Sequence, residues 1–154
     1  MTPTRRSLDL GGPPEGIAHA ILAALSGLVL PLLLIPVVAL VGHSEIVEES
    51  AKALAVFLFV LPIPGRRNQV AAALLLGFLF GASENVLYFN QLFQAGVTGT
   101  FWARFAWTAP MHAVTAGLIA ASGTMGKRYL PLGLAVAILA HVLFNAAALA
   151  VAAR

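Results

Sequence analysis

The chain has 154 residues, of which 60% are hydrophobic and only 10% are charged, with a net charge of +3 and no cysteine. A soluble domain carries about 25% charged residues, so this composition cannot cover a water-facing surface and predicts an integral membrane protein. The absence of cysteine from the sequence excludes disulfides, thiolate metal sites and cysteine nucleophiles.

Five stretches of the chain approach the roughly 20 apolar residues that a membrane-spanning helix needs. They are preceded by residues 1–16, which are polar and rich in proline and glycine and are predicted to form a flexible cytoplasmic tail. Pro31 and Pro36 are expected to bend the first helix. Residues 17–154 are predicted to form one transmembrane domain, an all-α integral membrane protein with a bundle of about five transmembrane helices, at residues 17–42, 45–62, 69–93, 101–124 and 130–153.

Basic residues set the expected orientation of this bundle. They form three pairs at the ends of apolar runs, Arg5–Arg6, Arg66–Arg67 and Lys127–Arg128. Since cytoplasmic loops are enriched in lysine and arginine, we expect a multi-pass protein of the cell membrane with a cytoplasmic N-terminus and a C-terminus outside. The same placement makes the lipid bilayer the expected partner and argues against nucleic acid.

Polar side chains nevertheless interrupt the expected spans. A charged residue at a helix centre costs roughly 2.5 to 3.5 kcal/mol, so intramembrane ionisable residues are functional candidates. In the expected orientation these residues gather in the outer half of the bilayer, which predicts one polar site there. They are Glu48, Glu49, Lys52, Glu84, Asn85, Arg104, His112, His141 and Asn145.

Spacing indicates which of these residues share a helix face. Glu48 and Lys52 are four residues apart, the separation and order that favour an ion pair. Ala73, Gly77 and Gly81 form a stripe of small residues that predicts the close approach of another helix. Glu84 follows this stripe by three residues and is therefore expected to point into the bundle.

The available residue types limit the chemistry of such a site. The sequence has neither a GxSxG nor an HExxH motif, and its one aspartate, Asp9, lies in the tail. A glutamate can act as a general base on water, and histidine or asparagine can donate to an oxyanion. Glutamate and histidine also bind zinc, so the cofactor is either none or a divalent metal such as zinc. The candidate metal ligands are Glu49, Glu84, His112 and His141.

Four motifs in order along the chain resemble those of PrsW-type intramembrane proteases, in the wider superfamily of CAAX prenyl endopeptidases and Abi proteins. The EExxxR and FxxxH motifs of the CAAX and Abi branch are missing, so the PrsW branch is the closer resemblance. The matching segments are EESAK (Glu48, Glu49, Lys52), FGASEN (Phe80, Glu84, Asn85), the pair Arg104 and His112, and HVLFN (His141, Asn145).

The resemblance implies an endopeptidase that cuts a membrane-anchored protein, such as an anti-sigma factor, on its extracytoplasmic side. Relatives of this kind have been described both as metal-dependent and as glutamate-dependent, and both mechanisms stay open here. In the glutamate-type relatives the first glutamate of the pair is the general base, which implies that role for Glu48. The other predicted roles are proton sharing by Glu49 and Glu84, water positioning by His112, oxyanion stabilisation by His141 and Asn145, and support from Lys52, Asn85 and Arg104.

Two other classes of function would also use a buried polar site. One is a non-enzymatic membrane scaffold or binding protein, and the other is a small transporter coupled to protons or cations. Transporters are commonly built from two repeats around a midplane site, and the sequence shows no repeat. A scaffold has little need for both acids of EESAK, so the protease interpretation is preferred.

Overall fold

The computed structural model describes residues 15–96 and 99–152. The predicted tail, residues 1–16, lies outside this described part except for Glu15 and Gly16, which already belong to the first helix. The expected all-α fold is confirmed, since the described residues form five α-helices and no strand. The helices are α1 (Glu15–Val41), α2 (Ser44–Ala55), α3 (Arg66–Gln94), α4 (Gly99–Met125) and α5 (Leu130–Ala152).

Within the described part of the chain, three helical stretches are long and apolar enough to cross a membrane: Gly16–Val41, Arg66–Phe89 and Lys127–Ala150. By contrast, α2 has 12 residues, or about 18 Å, and is extended by a π-helical turn at Val56–Val60. The 27 residues of α4 are enough to span, but its polar residues lower its hydropathy. The number of five transmembrane helices therefore stays a prediction, as does the bend expected at the two prolines of α1.

The connection between α1 and α2 is unusually short. Only Gly42 and His43 separate the two helices, and both have left-handed backbone conformations with φ of 69° and 46°. Glycine adopts this conformation freely, whereas it costs energy for histidine. The chain therefore reverses from α1 into α2 within two residues.

Helix α3 packs between α1 and α4, and glycines make both contacts close. A Cβ atom on Gly77 would overlap the carbonyl oxygen of His112, and one on Gly81 would lie 2.7 Å from Ala109 Cα. On the other side, a Cβ on Gly27 of α1 would meet the backbone of Leu76. The stripe of small residues predicted on α3 is thus confirmed as a helix-packing surface.

The interior of the bundle consists of an apolar layer and a polar layer. The apolar layer contains buried residues from every helix, including Ala23, Val56, Leu76, Ile119 and Ala137. The polar candidates precede this layer on α2 and α4 and follow it on α3 and α5. Because these pairs of helices run in opposite directions through the bundle, the polar residues of all four lie at the same end of the apolar layer.

We predict that Gly77→Ala destabilises the protein, because the added methyl group meets backbone atoms of α4 that cannot move aside. Overpacking of this kind costs about 1 to 3 kcal/mol. The matched control is Gly117→Ala, whose Cβ would meet only the flexible side chain of Leu74. Thermal unfolding in detergent should show a lower Tm for the first variant only, and equal Tm values would contradict the packing described here.

Candidate active site

Four helices contribute side chains to one buried polar cluster. Two of its members, Glu48 and Glu84, are half-buried, and the others are fully or almost fully buried. Because each helix supplies at least one member, the cluster forms only when all four helices are packed. The polar cluster consists of Glu48, Glu49 and Lys52 from α2, Glu84 from α3, His112 and Thr115 from α4, and His141 from α5.

Lys52 lies at the centre of the polar cluster and is fully buried. Its Nζ is 2.6 Å from Glu49 Oε1, 2.8 Å from His112 Nδ1 and 3.0 Å from Thr115 Oγ1. An ammonium group has three N–H donors, so each donor has one acceptor. The ion pair expected between Lys52 and Glu48 is replaced by one with Glu49, three residues away.

His112 is held from both sides of its ring. Its Nε2 is 2.7 Å from Glu84 Oε2, and its Nδ1 faces the Lys52 ammonium. An ionised carboxylate only accepts hydrogen bonds and an ammonium only donates them, so the two partners place the proton on Nε2 and the lone pair on Nδ1. Arg104 completes this arrangement, donating to Glu84 Oε1 at 3.0 Å and covering the ring of Tyr88 at 4.2 Å.

His141 is fixed by a carboxylate in the same way. Its Nδ1 is 2.8 Å from Glu49 Oε1, which makes Nδ1–H the donor and leaves the lone pair of a neutral ring on Nε2. The rings of His112 and His141 are perpendicular, with centroids 5.1 Å apart. Hydrogen bonds therefore run without a break from Arg104 through Lys52 to His141.

Two carboxylates of the polar cluster have an oxygen without a partner. Glu48 Oε2 and Glu49 Oε2 are both buried and make no hydrogen bond within the described part of the chain, but Glu49 accepts from Lys52 and His141 through its other oxygen. Glu48, His112 and His141 each present a ligand atom, and these atoms lie within 4.8 Å of one another. Two histidines and a glutamate are a known ligand set for catalytic zinc, so the residue types fit a metal.

The surroundings of the two histidines also fit a metal site, because metal-binding histidines usually donate their other N–H to a carboxylate. Glu84 accepts from His112, and Glu49 accepts from His141. The ligand set predicted from the sequence named Glu49 and Glu84, whereas the converging group contains Glu48 in their place. His112 already accepts from Lys52 through its lone pair, and this bond competes with a metal.

The remaining sequence candidates lie beside the cluster. Asn145 donates from Nδ2 to Glu45 Oε1 at 2.9 Å, and Asn85 donates to the Gly81 carbonyl at 2.7 Å while its own Oδ1 is buried without a partner among the described residues. Glu45 and Thr115 were not among the residues predicted from the sequence. Glu45 is one turn before Glu49, and Thr115 is three residues after His112, so both lie on faces that the chosen residues had already indicated.

A cavity of about 330 Å³ opens beside the polar cluster, between α1 and α3. Glu48 and Glu84 form its polar end, and Phe80 and Tyr88 also line it. The rest of its wall is apolar and comes mainly from α1. Glu48, whose Oε2 has no partner among the residues described, would therefore contact a ligand in the cavity.

We predict that Lys52→Met strongly destabilises the protein, because it leaves Glu49 charged and buried without its ammonium partner. Removing one partner of a buried pair costs about 3 to 5 kcal/mol. The double variant Lys52→Met, Glu49→Leu should recover most of this loss, and Lys127→Met, at an exposed position, serves as the control. The free energy of unfolding in mixed micelles measures the cost, and a double variant no more stable than Lys52→Met would contradict the pairing.

Comparison with known proteins identifies the family of the chain. The profile of the PrsW family intramembrane metalloprotease matches residues 16–154, which includes every member of the polar cluster. No curated protein and no solved structure matches the chain. The matched range covers nearly the whole sequence and supports the four-motif resemblance. The chain belongs to the PrsW family of intramembrane metalloproteases and is a membrane protein that acts as a protease.

Proposed function

We propose that the chain is an endopeptidase that cuts a membrane-anchored protein on the extracytoplasmic side, with water held between Glu48, His112 and His141. The observation that carries this proposal is the buried Glu48 Oε2, which has no partner and belongs to a residue lining the cavity. Leaving a buried acceptor unsatisfied costs about 1 to 3 kcal/mol, and more for a charged group. A site that binds water, an ion or substrate would offset that cost.

We also propose that Glu48, His112 and His141 hold a divalent ion such as zinc. The convergence of their ligand atoms within 4.8 Å supports this assignment, as does the membership of the chain in a metalloprotease family. When bound, such an ion supplies a Lewis acid that polarises a carbonyl group and makes water more acidic. Glu49 and Glu84 would then orient the two histidine rings through the hydrogen bonds described above.

We assign to Glu48 the transfer of a proton from the attacking water. A carboxylate has two oxygens, so one can hold an ion while the other acts as a base. Its Oε2 takes a proton from water as the water oxygen bonds to the scissile carbonyl carbon. The same carboxyl group then returns that proton to the amide nitrogen as the C–N bond breaks. General acid–base catalysis of this kind contributes about 10² to 10⁴ in rate.

We assign stabilisation of the oxyanion to Asn145. The amide of Asn145 has two N–H groups, so its bond to Glu45 leaves one that could donate to a developing negative charge. The role predicted for His141 requires a donor at Nε2, which a neutral ring does not have while Nδ1–H donates to Glu49. We therefore propose Asn145 without His141 as the oxyanion donor.

The substrate is proposed to be a membrane-anchored protein of the anti-sigma-factor kind, on the basis of the resemblance to PrsW-type proteases. The extracytoplasmic side follows from the orientation that the three basic pairs indicate. The scaffold and transporter alternatives are set aside because the family is one of proteases.

The metal assignment predicts about one divalent ion per chain after the purified protein is incubated with zinc and desalted. His141→Asn should remove most of the bound ion, because it deletes one of the three ligands. His43→Asn is the matched control, at an exposed left-handed position where asparagine is well tolerated. Elemental analysis by mass spectrometry measures both, and a wild-type protein that retains no ion would overturn the metal assignment.

The proposed cleavage predicts new N-termini on single-span membrane proteins of cells that produce the wild-type chain. Glu48→Gln should reduce their amounts about 100-fold or more, because glutamine has nearly the same volume but cannot accept the proton. Ser50→Ala, at an exposed position two residues away on α2, should leave them unchanged. Quantitative proteomics of N-termini in membranes that contain equal amounts of each variant makes the comparison. Equal cleavage by Glu48→Gln would exclude the proposed mechanism.

A further inference from the structure

The cavity beside the polar cluster follows one face of each of two helices. On α1 its wall includes Leu34 and Val38, which are four residues apart, and on α3 it includes Phe80, Glu84 and Leu87. Residues at such spacings lie above one another on a helix. The cavity is therefore a groove that runs along α1 and α3, and we refer to it as the α1–α3 groove.

The α1–α3 groove begins where the close packing of the two helices ends. At Gly27 the backbones of α1 and α3 are nearly in contact, and Ser83 Oγ donates to the Leu28 carbonyl at 2.7 Å. The first groove residue on α1 is Pro31, one turn beyond Gly27. These contacts close one end of the groove. Among the described residues from 34 to 41, no hydrogen bond and no close glycine contact joins α1 to α3.

The dimensions of the groove indicate the conformation of its occupant. Its wall on α1 extends from Pro31 to Ala39, which corresponds to about 12 Å of helix. In a helix the carbonyl and N–H of each peptide bond are hydrogen-bonded to other residues of the same helix, so a helical occupant would not present a free peptide bond to the two carboxylates. An extended chain covers 12 Å with about four residues. The groove therefore fits a short extended segment better than a helix.

The chemistry of the groove indicates what that segment contains. Apart from Glu48, Glu84 and the hydroxyl of Tyr88, its lining side chains are apolar. Several residues of α1 around it are exposed at the surface of the bundle, including Ile35 at 52%. An occupant would therefore enter from the bilayer with apolar side chains and bring a polar group to the two carboxylates, and a peptide bond is such a group.

We propose that the α1–α3 groove binds about four extended residues of the transmembrane segment of a single-span protein, and that it presents one of their peptide bonds to Glu48 and Glu84. This inference rests on the proposed function and adds to it the binding surface and the conformation of the substrate. Leu34, Val38 and Leu87 are then the residues that restrict the size of the substrate side chains. Segments with small side chains, and with residues that weaken a helix, are the preferred substrates.

Two matched pairs of tryptophan variants test the groove, and their probe is the single-span protein that the wild-type chain is found to cleave. Val38→Trp and Leu34→Trp place a large ring inside the groove. Val37→Trp and Leu33→Trp place the same ring on the exposed surface of α1, outside it. Cleavage should fall at least about tenfold for the first two variants, because the peptide bond is displaced from the carboxylates, and it should change less than twofold for the other two.

The outcomes separate the groove from the proposed function. Equal cleavage by the groove variants and their controls would show that the groove does not bind the substrate, while the proposed function would stand. If the wild-type chain cleaves no membrane protein, the proposed function fails and the groove assignment fails with it. The amount of each variant in the membrane, and its Tm in detergent, show whether a loss of cleavage reflects misfolding.

Disulfide crosslinking decides the question even if the tryptophan variants fold poorly. The natural sequence has no cysteine, so a Val38→Cys variant carries one reactive thiol. In the Glu48→Gln background it should form a disulfide with a substrate that has one cysteine next to its cleavage site, whereas a Val37→Cys variant should not. Equal crosslinking of both variants would overturn the proposal.

Discussion

The structure depends on one buried ammonium group. Taking a charge out of water costs several kcal/mol even after a protein relaxes around it, and Lys52 is fully buried. Its three hydrogen-bond acceptors belong to α2 and α4. Two of these acceptors are bonded in turn to other helices, His112 to Glu84 on α3 and Glu49 to His141 on α5. The charge is thus satisfied only if four helices are in place together. The polar cluster therefore forms only when α2, α3, α4 and α5 pack together.

The glycines of α3 make this arrangement possible. His112 can reach Glu84 only because α4 approaches α3 until the backbone of His112 lies against Gly77. A side chain at Gly77 or Gly81 would push the two helices apart and lengthen the hydrogen bond between ring and carboxylate. Small residues in a membrane helix usually favour association through van der Waals contact. Here the same residues also set the distance between His112 and Glu84.

The helices and most members of the site could be predicted from the sequence because each rests on a strong physical constraint. Apolar length determines where helices form, and the cost of polar groups in lipid singles out residues such as Glu84 and His112. The pairing within the cluster could not be predicted. Positions three and four residues apart share one helix face, so spacing alone could not choose between Glu48 and Glu49 for Lys52. The choice depends on His112 and Thr115, which belong to another helix.

Other features depended on contacts between helices and left no signal in the sequence. Glu45 resembles the solvated start of a helix until α5 brings Asn145 within hydrogen-bond distance. The ligand set predicted from the sequence contained Glu49 and Glu84, whereas the convergence of Glu48 with His112 and His141 is a property of the folded chain. The α1–α3 groove likewise arises from the way in which two helices part after Leu28.

The two-residue reversal at Gly42 and His43 gives the molecule a mechanical property. One wall of the groove belongs to α1, and Glu48 lies only five residues beyond His43 on α2. A connection this short has no slack, so an outward displacement of the end of α1 pulls on the start of α2. The fit of an occupant in the groove would thereby be transmitted to Glu48, the carboxylate to which we assign the proton transfer. Discrimination between substrates would then appear in the rate of the chemical step as well as in the strength of binding.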